Sequence, residues 1–361
     1  MWFNIALLEM TIKSFEIEYD AINSKNTFTN GDTINGRIIV ETSKETKIQS
    51  LLFMAKGKAR VCWHEYYGQN HHRVYWADEK YYSVKQHILR ESREDGTEVI
   101  GKGRHVFPFS FSIPDRKMPS SFETSIGKIV HKVKAELKQS MKLTKKAKAH
   151  FTFVSKADID TPGLMEPQHM CQDKNLAFGS GDVSFDVYAK QLGYKAGEAV
   201  QVTVKINNRS SRSVKPKFEL YEKKSYFAQG RRKLHTQKIL KDKAEVTTEH
   251  SGKTTFTKVI NIPTNLPPSI LNCSIIKLEY RLKIYLDIKF AGNPEIKLPI
   301  VILPEFSGRK QPPASSSYRF QGLVTSTEPT WSATPQMMEP PPPYGACAMY
   351  PPPPSNYKPA L

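Results

Sequence analysis

Five residues near the end of this chain, Pro340-Pro341-Pro342-Pro343-Tyr344, have types and spacing suited to one task, and that task is recognition. A proline run is already extended as a polyproline II helix, so docking it orders little chain. A WW domain offers an aromatic groove for two proline faces and a pocket for a tyrosine ring. In that register Pro341 and Pro342 fill the groove, Pro343 is the variable position and Tyr344 is the anchor. Pro353-Pro354-Ser355-Asn356-Tyr357 repeats the residue types with one residue too many. Pro353, Pro354 and Tyr357 are therefore either a spacer or a second, weaker WW site. Tandem WW domains engaging both would gain on the order of 10²-fold in avidity.

Positive charge is the second chemical theme. The chain carries 53 Lys+Arg against 35 Asp+Glu, a net +18, which favours an anionic partner. Lys142, Lys145, Lys146 and Lys148 form one cluster, and Arg231, Arg232 and Lys233 form another. Arg209 and Arg212 flank an expected turn. These are candidates for contact with cargo, an anionic membrane surface or a phosphorylated receptor tail, because arginine forks and lysine ammonium groups suit phosphate oxygens. Solvated loops and outer sheet faces are the alternative. No RRM, zinc-finger or helix-turn-helix pattern accompanies the charge, so nucleic acid is not an expected partner.

Other constellations do not lead to chemistry. His64, His71 and His72 lie near Cys62, but their spacing fits no standard metal site, and Trp63, Tyr66, Tyr67, Tyr75 and Trp76 crowd the same stretch. An aromatic-rich strand pair is the expectation there. Gly101-Lys102-Gly103-Arg104 lacks the spacing of a phosphate loop. There is no G-x-S-x-G elbow. Asp158 and Asp160 fall at an expected linker and suit a turn. Cys62, Cys171, Cys273 and Cys347 are scattered without a C-x-x-C pair, which suits a reducing compartment. No catalytic residue, no metal and no cofactor is expected. Met1–Leu8 is too short to span a bilayer and lacks a basic n-region, so it does not read as a signal peptide.

The elements that must carry these residues read as strands. From Phe15 to about Leu303, Val, Ile, Phe, Tyr and Thr recur at period two between Gly, Pro, Asn and Ser, so the class is all-β. An internal duplication stands out. Asn30-Gly31-Asp32 turns into a strand with Ile34, Gly36, Ile38 and Val40 on one face. Ala196-Gly197-Glu198 turns into a strand with Val200, Val202, Val204 and Ile206 on one face. Phe111-Ser112-Ile113-Pro114 precedes Pro119-Ser120-Ser121, and Ile260-Asn261-Ile262-Pro263 precedes Pro268-Ser269-Ile270 at the same Pro-to-Pro spacing. A strand follows each, with Ile129, His131, Val133, Ala135 and Leu137 on one face of the first and Leu278, Tyr280, Leu282, Ile284 and Leu286 on one face of the second. Two related immunoglobulin-like β-sandwiches in tandem are implied: one over 10–160, a linker over 161–176 and a second over 177–304. The stretch 305–361 holds about half of the 25 prolines and few apolar residues, so a disordered tail is expected.

In order, these runs resemble the arrestin fold and, within it, the α-arrestin (arrestin domain-containing) family, closest to the type-3-like branch. The resemblance rests on Gly103–Phe111, Pro119–Glu123 and Gly127-Lys128-Ile129 leading into Val133-Lys134-Ala135. In the second half it rests on Gly193-Tyr194, Gly197-Glu198, Leu266-Pro267-Pro268-Ser269 and Leu298-Pro299-Ile300-Val301. Ala196 stands where the family usually has proline, and one tail motif is complete where the family often has two. The resemblance implies a non-enzymatic cytoplasmic adaptor, peripheral at the plasma membrane and endosomes. Its partners would be WW-domain HECT ubiquitin ligases of the NEDD4 class and membrane receptor or transporter cargo. An arrestin-fold trafficking coat subunit of the retromer type is the alternative, and it would not need the tail motif.

Overall fold

The computed structural model describes residues 11–68, 71–89, 98–156, 162–176 and 181–305. Every regular element among them is a strand. The first sandwich sets β1 (Ile12–Tyr19), β3 (Thr33–Thr42) and β8 (Gly103–Ser112) as one antiparallel sheet. The opposing sheet runs in the order β2 (Thr27–Phe28), β11 (Lys145–Phe153), β10 (Gly127–Lys138), β5 (Ser50–Tyr66), β6 (His72–Leu89), with β9 (Phe122–Glu123) also on β10. A short pair, β4 (Thr46–Ile48) and β7 (Glu98–Ile100), stands apart.

The second sandwich repeats the two main sheets of this plan. β13 (Asp182–Ala189), β15 (Ala199–Asn208) and β18 (Lys253–Asn261) take the places of β1, β3 and β8. β14 (Gly193–Lys195), β20 (Glu295–Leu303), β19 (Ile276–Ile288), β16 (Val214–Ala228) and β17 (Arg231–Lys243) reproduce the order of the other sheet. In each half the two-to-three-residue strand at the edge is the parallel one, β2 on β11 and β14 on β20, while the larger strands pair antiparallel. One strand of the second sandwich has no counterpart in the first. β12 (Gln168–Asn175) lies inside the stretch expected as linker and pairs with β13 along its whole length, so most of that stretch is the edge of the second sandwich. Its alternation is hidden in the sequence because it is an edge strand with mostly exposed side chains.

Period-two burial is the physical cause of both sheets. Val200, Val202, Val204 and Ile206 are no more than 2% exposed, while Gln201 and Lys205 face solvent. Each such side chain contributes about 2 kcal/mol of burial. The duplicated proline turns match with a slip of one residue. Ser121 Oγ accepts from Phe153 N at 3.0 Å, and Ser269 Oγ accepts from Ile302 N at 2.9 Å. The equivalent runs are therefore Pro119-Ser120-Ser121 and Pro267-Pro268-Ser269, and the serine, not the proline spacing, is what the fold preserves.

Two glycines are required by close approach. A Cβ on Gly57 would strike the Tyr82 ring and lie 2.9 Å from His131 Nδ1. A Cβ on Gly127, at the start of β10, would lie 2.9 Å from the Tyr226 ring and 3.0 Å from Ile276 Cδ1 of the second sandwich. At this junction Tyr81 donates to Cys273 Sγ at 3.2 Å. Glu79 there accepts from the Ser274 backbone N–H at 2.9 Å and from its hydroxyl at 2.6 Å.

Candidate functional site

The tail motifs, Pro341, Pro342, Tyr344 and Pro353, Pro354, Tyr357, lie outside the described residues, as do Asp158 and Asp160. Among the described residues, no group of three or more His, Cys, Asp or Glu is placed to hold a metal, and no helix is long and apolar enough to cross a membrane. Cys62, Cys171 and Cys273 are free thiols. The expected aromatic strand pair forms: Cys62 faces Trp76, Trp63 faces Tyr75, and the two rings of the latter stack at 5.4 Å.

The basic candidates separate into distinct roles. Arg209 and Arg212 belong to a turn built around Asn208. That amide is fully buried and donates to the carbonyls of Arg212, Thr248 and Glu249, while its own oxygen accepts from Ser210. Arg212 donates to the Lys289 and Phe290 carbonyls at 2.8 and 2.7 Å, which closes the end of the second sandwich. Arg231, Arg232 and Lys233 open β17 after a turn in which Gln229 and Gly230 both have positive φ. Arg232 donates to Ser225 Oγ at 2.8 Å and sits 5.7 Å from the Phe227 ring. Glu65, on the β5–β6 hairpin, is held below the usual carboxylate range by hydrogen bonds from Tyr67 and Trp63, with smaller help from the charges of Lys233 and Arg231. The Arg231–Lys233 cluster therefore stands beside the exposed aromatic tip formed by Tyr66, Tyr67 and Trp76.

The third cluster divides. Lys142 donates to Thr11 Oγ1 and Lys145 to the Ile12 carbonyl, tying the β10–β11 turn to β1. Lys146 and Lys148 point the other way, onto the outer face of the sheet. There they meet residues that sequence reasoning did not select: Lys56 and Lys58 of β5, Lys80 and Lys85 of β6, and Lys132 and Lys134 of β10. These side chains, together with the carboxylates of Asp78 and Glu79, line a recess of about 940 Å³. A second recess of about 530 Å³ shares Lys58, Lys132 and Lys148 with it and adds Arg60, Lys128 and His150. Lys132 is held below the usual lysine range, first by partial burial and then by repulsion from Lys58, Lys148, Lys134 and Lys56. His150 is lowered by burial and then by Lys132 and Lys148. A surface that disfavours its own protons is one that gains from an anion.

Beneath this face lies a buried histidine. His131 is 1% exposed and stacks on Phe153 at 4.5 Å. Its Nε2 is 3.3 Å from the Pro119 carbonyl and its Nδ1 is 3.2 Å from the Tyr82 hydroxyl. The neutral ring with its proton on Nε2 satisfies both, donating to the carbonyl and accepting from the phenol. Tyr280 holds the same place in the second sandwich and donates to the Pro267 carbonyl at 2.8 Å.

Comparison with known proteins agrees with this architecture. The arrestin (or S-antigen) N-terminal domain profile matches residues 15–160, and the C-terminal domain profile matches 179–305. Arrestin domain-containing protein 4 of Mus musculus is 28% identical over 345 residues, spanning 92% of this chain and 81% of its own length. The human protein of that name is 28% identical over 302 residues, spanning 81% and 72%. Human thioredoxin-interacting protein is 27% identical over 327 residues, spanning 89% and 80%. With both domain profiles in order on a duplicated pair of β-sandwiches, the chain belongs to the arrestin family and, within it, to the α-arrestins.

Proposed function

We propose that this protein is a trafficking adaptor. Its two sandwiches engage a membrane receptor or transporter, and Pro341, Pro342 and Tyr344 recruit a WW-domain HECT ubiquitin ligase of the NEDD4 class. The cargo is then ubiquitinated, internalised and sorted at endosomes. The observation that carries this reading is a complete Pro-Pro-x-Tyr segment following an α-arrestin body on one chain. The mechanism is proximity: cargo and ligase held by one molecule react at a raised effective concentration, so the adaptor needs no chemistry of its own. The Arg231, Arg232 and Lys233 cluster beside the Tyr66 and Trp76 tip is the cargo- or membrane-facing candidate that geometry favours over Arg209 and Arg212, whose turn has a structural task.

The test is capture of isolated WW domains by the full chain. Tyr344→Ala abolishes capture, whereas Tyr357→Ala lowers it only if the second segment contributes. Undiminished capture by Tyr344→Ala would refute the assignment. Charge reversal at Arg231, Arg232 and Lys233 lowers association with cargo or anionic vesicles. Unchanged co-precipitation and vesicle sedimentation would remove that cluster from the reading.

A further inference from the structure

The turn between β10 and β11 carries two apolar side chains that neither the core nor the backbone explains. Met141 and Leu143 are 103% and 93% exposed. Met141 has a φ of 55°, a left-handed conformation that glycine or asparagine adopts at lower cost. Methionine there is unfavourable for the backbone and adds nothing to packing. The surroundings are cationic: Lys138, Lys142 and Lys145 belong to the turn or flank it, and no Asp or Glu occurs from Leu137 to Val154. The turn is also remote from the junction of the two sandwiches. β10 leaves that junction at Gly127 and ends at Lys138, roughly 37 Å on at about 3.4 Å per residue.

The chain enters the body at the same place. The Thr11 hydroxyl accepts from Lys142 Nζ at 3.1 Å and from Gln139 Nε2 at 3.3 Å, and the Thr11 carbonyl accepts from Ser43 N at 2.9 Å. Residues 1–10 are therefore tethered beside the turn. They include Trp2, Phe3, Ile5, Leu7 and Leu8 and a single charged side chain, Glu9. Ten residues reach at most about 36 Å, so the segment and the turn act on one neighbourhood. Two side chains cover too little area to offset the entropy of ordering ten residues, which disfavours packing of the segment onto Met141 and Leu143. The apolar run is also too short to span a bilayer. Shallow apolar insertion combined with attraction to anionic head groups is how a peripheral segment holds a membrane, and tryptophan suits the interface.

We propose that this end of the first sandwich is a membrane-insertion site. Trp2, Phe3, Met141 and Leu143 enter the boundary between head groups and acyl chains of an anionic bilayer, and the exposed Lys138 and Lys142 meet its head groups. Lys142 and Lys145, by holding Thr11 and Ile12, keep the terminal segment beside the turn. The site does not depend on ligase recruitment, because it uses no tail residue. It is also separate from the Arg231–Lys233 cluster, which lies at the junction end, where Lys233 pairs with Tyr226.

The experiment is sedimentation of the full chain with phosphatidylcholine vesicles, with and without phosphatidylserine. The parent binds the anionic vesicles, and binding falls as salt rises. Met141→Ser/Leu143→Ser and Trp2→Ser/Phe3→Ser each remove two inserted apolar side chains, so each weakens binding about tenfold or more. Brominated acyl chains quench the part of the parent's fluorescence that Trp2→Phe removes, as a purely electrostatic contact would not. Both double variants keep the parent's thermal midpoint without vesicles, because those side chains pack on nothing in the free protein. Tyr344→Ala binds vesicles as the parent does, even if WW capture fails. The inference is overturned if the parent does not bind anionic vesicles, if either double variant binds within twofold of it, or if bound Trp2 is not quenched. A thermal midpoint lowered by Trp2→Ser/Phe3→Ser in the absence of vesicles overturns it as well, since the segment would then be packed against the protein.

Discussion

Acidification should unfold the first sandwich through one ring. His131 is enclosed by Tyr81 and Tyr82 of β6, Phe151 and Phe153 of β11 and the bare backbone of Gly57 on β5, with no carboxylate against it. Burial pushes its pKa down to about 4, against the ordinary 6.5. Between these values the unfolded chain binds a proton that the folded chain refuses. Stability from this group is therefore complete above pH 6.5 and is lost as pH falls towards 4. The full difference, about 2.5 pKa units at about 1.4 kcal/mol each, is roughly 3 kcal/mol, of which about 2 kcal/mol is gone by pH 5.0. Carboxylates titrate in the same range, so the readout is a difference: urea unfolding of parent and His131→Gln at pH 8.0, 6.0 and 5.0. Glutamine can still reach the Pro119 carbonyl but does not titrate. The parent should lose about 2 kcal/mol more than the variant between pH 8.0 and 5.0. Parallel stability curves would refute a neutral buried imidazole as the acid-sensitive element.

Two further changes probe the frame. Gly127→Ala puts a methyl group 2.9 Å from the Tyr226 ring, which overpacking makes destabilising by about 1–3 kcal/mol, read as a lowered thermal midpoint with retained β-sheet dichroism. Asn208→Ala removes a fully buried amide that serves three carbonyls, so a loss of roughly 2–4 kcal/mol is expected in denaturant unfolding.

What could be read from the sequence follows from which physical signal is local. Strands buried on one face announce themselves by alternation, and Val200 to Ile206 and Leu278 to Leu286 do so without ambiguity. β12 did not, because an edge strand with little burial carries no alternation to read. The Ser121 and Ser269 equivalence was masked by two adjacent prolines, Pro267 and Pro268, either of which satisfies a spacing count. The lysine face was missed for a different reason. Clustering along the chain selected Lys142, Lys145, Lys146 and Lys148, yet the strand turns two of them towards β1 and two outward. The signal that would have found the face is Lys-x-Lys recurring on three strands: Lys56-Gly57-Lys58, Lys132-Val133-Lys134 and Lys146-Ala147-Lys148. Alternation puts each pair on one side, but only the pairing of β11 to β10 and β10 to β5 brings the three pairs together.

Duplication makes the differences between the halves more informative than their likenesses. A sandwich is fixed by what points inward, and there the two copies agree, down to a buried polar ring donating to the carbonyl of an equivalent proline, His131 in one and Tyr280 in the other. Outward positions are free to diverge at little cost in stability, since exposed substitutions seldom exceed about 0.5 kcal/mol. Drift alone should leave both faces with mixed charge. Instead one face sets six cations against four shared carboxylates, and the other gathers six lysines in a recess that Asp78 and Glu79 also line. Lys132 is partly buried and repelled by Lys58, Lys148, Lys134 and Lys56, so Lys132→Gln should raise the thermal midpoint. A midpoint that stays the same or falls would refute a net repulsion at this position.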